Sequence, residues 1–331
     1  AAEAISHLAP SSDPPQSFPD GIIFHTFYHR PQAALALEAI ARAYGEDPRQ
    51  GSLEAAKRAL ACRSPLIVLD GAEACDDLQT VLSVTGSCGV LITTRRHSDA
   101  PDDYSDLLPL PEDKAVQLLQ AWGGSMASDE MACRSICSLL GGLPLAIYLA
   151  GRYLAHRRQL AGEYLAWLIE TPLEALDLEK RQHQSIPLLM EHSLKQVSDL
   201  ACGCLGLTGV LAMKPFETDV IALALKISAQ QANISLGELV NCGLLTRPDA
   251  RYQITHALAH TYARERLPVP EDALARLAQH YDQFSREQIK QGLSGYALLD
   301  AQRDHILAIQ SACNRAGLWS EARSIAWAIE D

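Results

Sequence analysis

A short apolar segment that ends on an acid is the first place in this 331-residue sequence where chemistry is expected. Residues 66–69 are all apolar, as is typical of a parallel strand buried on both faces, and Asp70 follows them directly. In an open α/β sheet, ligands lie beyond the carboxyl ends of the strands. A carboxylate there can bind Mg²⁺, directly or through water, opposite nucleotide phosphates. The alternative is that Asp70 only ends the strand and caps the next turn.

A basic side chain follows the next predicted strand, at residues 90–94. Arg95 comes directly after this strand in the run Thr93-Thr94-Arg95. A guanidinium group presents a planar fork of N–H donors that matches the oxygens of a phosphate. Arg96 is adjacent, and the strand register favours Arg95 for this role and a surface position for Arg96.

A proline with helix-start spacing lies near the middle of the chain, in the run 142–146 (Gly-Leu-Pro-Leu-Ala). Pro144 suits the first turn of a helix because its missing N–H would have no partner there. Leu143 precedes it. Such a sequence is common at junctions between helices, so its functional interpretation depends on the strands that come before it.

His256 opens a predicted helix at 256–266, after a predicted hairpin strand. His260 lies four residues further on, on the same helical face, as in the zinc-binding motif H-E-x-x-H. The position of the catalytic glutamate holds Ala257, which excludes a zinc protease. His256 can serve a ligand, or it can only make contacts at the helix N-terminus.

Strands alternate with helices in the first third of the chain, which predicts a parallel sheet with helices on both faces. We predict strands at 22–27, 66–70, 90–94 and 107–110, and helices at 1–8, 31–44, 52–62 and up to Val84. Helices dominate from residue 112 onward. A hairpin at 244–255 within helices 186–266 predicts a winged-helix domain, and helical residues 271–331 predict the start of an array resembling tetratricopeptide (TPR) repeats.

Taken in this order, the motifs around Asp70, Arg95, Pro144 and His256 resemble the NB-ARC class of STAND signal-transducing P-loop ATPases, found in bacterial regulators and immune receptors. The resemblance implies an α/β P-loop NTPase domain, a helical bundle, a winged-helix domain and a TPR-like region, at residues 1–110, 111–184, 185–267 and 268–331. It also implies ATP or ADP with Mg²⁺ as cofactors.

The same resemblance assigns roles to individual residues. Asp70 is the Mg²⁺ ligand, and Arg95 is the sensor of the terminal phosphate; both are the catalytic candidates. Leu143 and Pro144 are expected beside the adenine. His256 is expected to bond the β-phosphate of ADP and to lock the closed state.

Three departures from the family pattern weaken the expectation of catalysis. Gly71 stands where a second acid usually polarises the attacking water, and Glu73 lies two residues further on. Ala257 replaces an aspartate after His256. The P-loop sequence G-x-x-x-x-G-K-[S/T] occurs nowhere in the chain. We therefore expect at most a slow ATPase.

The helix at 1–8 resembles the one that follows the P-loop in this class. This predicts a fragment that starts just after a P-loop and lacks the first strand of the sheet. In the family's strand order that strand would lie between 66–70 and 90–94, so these two strands should not be direct neighbours.

Two functions from different classes fit these observations. The first is a nucleotide-dependent switch that controls oligomerisation and signalling in defence, cell death or transcriptional regulation, after a protein or small-molecule trigger. The alternative is an inactive scaffold or ligand-sensing adaptor that retains the fold. Asp70, Arg95, Pro144 and His256 favour the switch, while Gly71 and the absent P-loop motif favour the scaffold.

Composition excludes several partners. The net charge is −12, from 28 basic and 40 acidic residues, and the candidate recognition helix 229–242 has no Lys or Arg, which argues against direct binding to nucleic acid. No apolar stretch approaches the ~20 residues of a membrane span. Nine cysteines include no C-x-x-C pair, which favours reduced thiols in a cytoplasmic protein.

Overall fold

The computed structural model describes residues 2–9, 14–28, 30–99, 104–170 and 178–328. The chain divides into two compact units, Ala1–Asp106 and Leu107–Asp331. The elements of the first unit are α1 (Ala2–Leu8), β1 (Ile22–Thr26), α2 (Ala33–Ala43), α3 (Ser52–Leu60), β2 (Leu66–Asp70), α4 (Leu78–Leu82) and β3 (Gly89–Thr93). None of the helices in the described ranges is long and apolar enough to cross a membrane.

The three strands form one parallel sheet in the order β1-β2-β3. β2 pairs directly with β3, from Leu66 opposite Gly89 to Asp70 opposite Thr93. The prediction that a missing strand separates these two is therefore wrong. The physical reason is that an unpaired strand edge leaves backbone groups without hydrogen bonds, each costing about 1–3 kcal/mol when buried, and direct pairing satisfies them.

The core of the first unit lies on one face of the sheet. Ile67 and Leu69 point to this face and pack with residues of α2, α3 and α4. On the other face Phe24 is 51% exposed. Helices were predicted on both faces of the sheet. In the core of the described residues, helices α2, α3 and α4 pack against one face. β2 is the central strand, and its residues 66–69 are all buried, as their uniform apolarity predicts.

The strand predicted at 107–110 does not form. The described segment 104–111 has no regular structure, and Leu107 and Leu108 are 98% and 83% exposed. Pro109 and Pro111 carry no N–H to donate to a sheet ladder. Leu110 instead donates its N–H to the carbonyl oxygen of Gly142, at 3.0 Å.

The second unit is helical apart from one short hairpin, and one hydrophobic core runs through it from Ala115 to Ile325. Its elements are α5 (Glu112–Gly123), α6 (Glu130–Leu139), α7 (Pro144–Arg157), α8 (Ala161–Ile169), α9 (Leu178–Leu194), α10 (Asp199–Thr208), α11 (Thr218–Leu225), α12 (Ala229–Asn241), β4 (Leu245–Thr246), β5 (Gln253–Ile254), α13 (Ala257–Arg266), α14 (Glu271–Ile289), α15 (Leu293–Ala316) and α16 (Trp319–Ala328).

Side chains at the helix starts explain several of these boundaries. Before α12, the Ser228 hydroxyl accepts the N–H of Gln231 at 3.2 Å, and the Gln231 side chain accepts the N–H of Ser228 at 3.0 Å. Asp129 and Ser198 cap α6 and α10 without the reciprocal bond: their side chains accept the N–H groups of Ala132 and Ala201. Each cap satisfies an N–H group that the helix itself leaves without a partner.

The connection between α10 and α11, residues 211–216, is held by buried polar side chains of two other helices. We refer to it as the clamped loop. His305 of α15 accepts the N–H of Ala212 at Nδ1, 3.2 Å away, and its Nε2 lies 3.3 Å from the carbonyl oxygen of Pro215. Both ring nitrogens of a neutral imidazole are therefore used, one as acceptor and one as donor.

Two further contacts hold the clamped loop. The ammonium group of Lys214 lies 2.6 Å from a carboxylate oxygen of Asp304, whose side chain is only 2% exposed. Nε2 of His260, on α13, lies 2.8 Å from the carbonyl oxygen of Leu211. The loop is thus joined to α13 and α15 by hydrogen bonds in a buried environment, where such bonds are strongest.

Candidate functional site

Asp70 is positioned by the strand beside it. The hydroxyl of Thr93 donates to Oδ1 of Asp70 at 2.8 Å and accepts the N–H of Gly71 at 3.0 Å. This places a carboxylate at the carboxyl edge of the parallel sheet, as predicted, with one oxygen held in a fixed orientation. Asp70 and Thr93 lie opposite each other where β2 pairs with β3, so their contact follows directly from the strand pairing.

Gly71 has a backbone that few other residues adopt. Its φ is +73°, in the left-handed region, and a Cβ at this position would lie 2.8 Å from atoms of the Tyr28 ring. The position where the family carries a second acid is therefore closed to any side chain by Tyr28. Sequence reasoning missed Tyr28, because nothing in its local pattern indicates this contact.

Arg95 is paired with Glu73. Nε of Arg95 donates to Oε1 of Glu73 at 2.6 Å, and the backbone N–H of Arg95 donates to Oε2 at 3.2 Å. The Glu73 side chain is 6% exposed and that of Arg95 is 63% exposed. Both oxygens of Glu73 are thus engaged by Arg95, so this carboxylate is not placed as a free base for a water molecule.

The pKa values follow from these contacts. Burial alone raises the pKa of Glu73, but the hydrogen bonds and charge of Arg95 outweigh it and hold the pKa below its usual value. Burial raises the pKa of Tyr28 to about 12, and the charge of Glu73 adds to the shift. At neutral pH Glu73 is ionised and Tyr28 is neutral.

The donor set near Asp70 is compatible with Mg²⁺ only in part. The described residues include no group of three or more His, Cys, Asp or Glu side chains that could hold a metal ion. Mg²⁺ commonly uses one or two carboxylates and completes its shell with water and substrate phosphates. Asp70 can supply one such carboxylate, so the remaining ligands would have to come from water and a nucleotide.

Leu143 and Pro144 begin α7 in the second unit. Pro144 is the first helical residue and Leu143 precedes it with an extended backbone, which confirms that the Gly-Leu-Pro-Leu-Ala run starts a helix. Gly142 has a φ of +65°, and a Cβ there would lie 2.9 Å from the carbonyl oxygen of Leu110. Contact with adenine stays a prediction.

His256 is exposed and caps α13. Its Nδ1 accepts the N–H of Leu258 at 3.1 Å, so a neutral imidazole carries its proton on Nε2. This contact at the helix N-terminus is one of the two roles that the sequence left open for His256. The Nε2–H donor lies on the opposite side of the ring from the cap. His260 is buried and contacts the clamped loop.

The predicted residues therefore fall into two groups. Asp70 and Arg95 follow neighbouring strands of one sheet, in the first unit. Leu143, Pro144 and His256 are at helix starts in the second unit. Tyr28, Glu73 and Thr93 complete the first group. The sequence indicated Glu73, as the acid two residues after Gly71, and Thr93, in its Thr-Thr-Arg context, but gave no signal for Tyr28.

Two curated proteins are similar to this chain in sequence, while no family model matches it. The regulatory protein AfsR of Streptomyces coelicolor is 28% identical over 207 residues, covering 61% of this chain and 21% of AfsR. AfsR of Streptomyces griseus is 27% identical over 231 residues, covering 66% of this chain and 24% of that protein. The chain thus spans less than a quarter of the relatives it matches.

A solved structure matches almost the whole chain. It is the crystal structure of a STAND protein with a tetratricopeptide repeat sensor from Pyrococcus horikoshii, with a TM-score of 0.52 and 13% sequence identity over 98% of this chain and 57% of that one. The chain therefore has the fold of the STAND class, and the resemblance inferred from its motifs is confirmed.

Proposed function

We propose that this chain is the nucleotide-responsive part of a STAND-class regulator. The observation that carries the proposal is the polar group at the carboxyl edge of the sheet, where Asp70 is oriented by Thr93 and Arg95 follows the adjacent strand. Ligands of open α/β sheets bind at this edge. Similarity to two regulatory proteins supports a role in signalling or transcriptional control.

In this proposal Asp70 holds Mg²⁺ through its carboxylate, with water and phosphate as further ligands, and Arg95 contacts a terminal phosphate. Leu143 and Pro144 contact adenine, and His256 donates from Nε2 to a β-phosphate. Helices α10–α13 with the β4–β5 hairpin act as a winged-helix domain, and α14–α16 begin a TPR-like array. A protein or small-molecule trigger changes the nucleotide state and permits homo-oligomerisation.

Hydrolysis is slow in this proposal. Gly71 removes the usual water-polarising acid, and Glu73 is occupied by Arg95. General-base assistance is typically worth about 10²–10⁴-fold in rate. The bound nucleotide then acts as a ligand that selects a conformation of the chain, and its slow hydrolysis only returns the chain to its starting conformation.

The proposal predicts that Asp70→Asn weakens Mg²⁺-dependent binding of ADP at least tenfold. Asparagine can still accept from Thr93, so the fold is retained while the negative charge is lost. A lost contact to a charged group costs about 1.5–3 kcal/mol, which corresponds to tenfold or more. Titration calorimetry with ADP, with and without Mg²⁺, measures the effect.

The matched control for this experiment is Glu54→Gln, which removes an exposed acid of α3 that pairs with Lys57 at the surface. Its ADP affinity should equal that of the wild type. Equal ADP affinity of wild type and Asp70→Asn, independent of Mg²⁺, would remove Asp70 from the site.

The role of His256 is separable from its capping contact. His256→Ala removes both the cap and the Nε2 donor, whereas asparagine is a good N-cap without an imidazole. We expect both variants to lose about tenfold in ADP affinity, and only the alanine variant to lose about 1 kcal/mol of stability. If asparagine restores ADP affinity together with stability, His256 is a cap and nothing more.

The inactive scaffold is the second candidate, and one observation favours it. Arg95, the residue expected to read a phosphate, is bound to Glu73 in this structure, and the sequence carries no P-loop motif. A chain that binds neither MgADP nor a magnesium complex of a slowly hydrolysed ATP analogue at millimolar concentration would be a scaffold, and the switch proposal would fail.

A further inference from the structure

Arg95 is joined to a second charged residue at the edge of the sheet. Nε of Arg95 donates to Glu73, and the Tyr28 ring packs over Gly71, two residues before Glu73. We propose that Glu73 is a latch that holds Arg95, so that a terminal phosphate must displace a carboxylate before it can bind the guanidinium. The inference rests on the proposed function and concerns the regulation of the same site.

The burial of the Glu73 carboxylate distinguishes this contact from an ion pair between two exposed side chains. Exposed ion pairs are worth little because water screens them. Here the carboxylate of Glu73 is 6% exposed and its nitrogen contact with Arg95 is 2.6 Å long. A buried charge that loses its partner is strongly destabilised. Glu73 therefore holds Arg95 in one orientation, while the 63% exposure of Arg95 leaves its guanidinium accessible to a ligand.

Tyr28 packs beside the latch. Its ring lies over Gly71, so closely that a Cβ at Gly71 would come within 2.8 Å of it. The charge of Glu73 raises the pKa of Tyr28, so the ring lies within electrostatic reach of the carboxylate. The glycine that replaces the family's second acid is thus the residue that makes room for Tyr28.

The latch competes with the terminal phosphate of a triphosphate for Arg95. A terminal phosphate carries more charge near Arg95 than a diphosphate that ends before it, and charge-assisted bonds to phosphate can replace those to a carboxylate. Removing the negative charge of Glu73 removes this competition. Triphosphate binding should then gain more than diphosphate binding, so the ratio of the two affinities reports the latch.

The test measures the affinities of MgADP and of Mg²⁺ with the slowly hydrolysed analogue ATPγS, by calorimetry on the full 331-residue chain. In Glu73→Gln we expect the ratio of ATPγS to ADP affinity to rise about tenfold. In Tyr28→Phe, which keeps the ring over Gly71 and removes only the hydroxyl, we expect the ratio to stay within about twofold of the wild type. Glu54→Gln, the control that removes an equally charged exposed acid, should leave the ratio unchanged.

A second measurement does not depend on nucleotide. The N–H of Arg95 donates to Oε2 of Glu73, so hydrogen exchange at Arg95 in the ligand-free chain should accelerate in Glu73→Gln, since glutamine has one acceptor oxygen in place of two. Hydrogen exchange in β2 should be the same in the wild type and in Glu73→Gln, and it serves as the internal reference for an intact fold.

The outcomes separate the two proposals. If the wild type binds both nucleotides and Glu73→Gln leaves their ratio unchanged or lowers it, the latch is wrong and the proposed function stands. If the wild type binds neither, the proposed function fails and the latch, which rests on it, fails with it. Unchanged exchange at Arg95 in Glu73→Gln would overturn the latch whether or not nucleotides bind.

Discussion

His305→Ala should lower the free energy of unfolding by about 3 kcal/mol. The imidazole is 2% exposed and serves two backbone groups of the clamped loop, the N–H of Ala212 and the carbonyl of Pro215. Alanine leaves both groups buried without a partner and opens a cavity beside them. Urea denaturation followed by circular dichroism measures the loss.

The pH dependence of stability gives an independent check on this contact. Burial lowers the pKa of His305 from 6.5 to about 4, while the carbonyl of Pro215 raises it slightly and the charge of Lys214 lowers it further. Between pH 6.5 and 4 the unfolded state therefore binds a proton that the folded state does not, and stability falls as the pH drops. The full effect is about 3 kcal/mol and is complete near pH 4.

The control for both measurements is His305→Gln, which retains one donor and one acceptor without a titrating ring. The charged and titratable groups that also hold the clamped loop, Lys214 with Asp304 of α15 and His260 of α13, remain in this variant. Its stability should exceed that of His305→Ala and should fall less between pH 6.5 and 4. An identical pH slope in wild type and His305→Gln would show that His305 does not carry the effect.

Gly295→Ala should be nearly as damaging, for a reason of pure packing. Gly295 lies in the first turn of α15, where a Cβ would overlap with the carbonyl oxygen of Gln288 and lie 2.6 Å from its carbonyl carbon. These are backbone atoms near the end of α14, so the two helices would have to move apart. Overpacking of this kind costs about 1–3 kcal/mol, and backbone overlap belongs at the upper end of that range. Thermal denaturation detects it.

Two glycines serve as matched controls for this substitution. Gly203 in α10 and Gly237 in α12 are also helical, and a Cβ at either would meet nothing within 4 Å. Alanine there should stabilise the chain by about 0.5–1 kcal/mol, because glycine loses more backbone entropy on folding. A stabilising Gly295→Ala would mean that the close approach of α14 and α15 is not present in solution.

Local patterns predicted most of the elements because their causes are local. The apolar run of β2 indicated a strand buried on both faces, and residues 66–69 are buried. Pro144 indicated a helix start, and it is the first residue of α7. The strand expected at 107–110 failed because hydrophobicity alone does not make a strand: the segment also needs N–H donors, which Pro109 and Pro111 lack.

The sequence did not predict the order of the strands in the parallel sheet. The expectation of a strand between β2 and β3 came from a family resemblance, and the direct pairing of Asp70 with Thr93 contradicts it. Which edges pair depends on all the strands present, since every buried N–H and carbonyl must find a partner. That requirement applies to the whole sheet and cannot be detected in the sequence of any one segment.

The sequence by itself determined the class of fold and the two side chains that follow neighbouring strands, Asp70 and Arg95, because strand ends can be read from local hydrophobicity. Only the tertiary structure decided what those side chains contact. Glu73 reaches Arg95, and Tyr28 lies over Gly71, because parallel pairing brings three separate strand ends to one edge. Side-chain partners depend on distances across the sheet, and such distances are absent from a linear pattern.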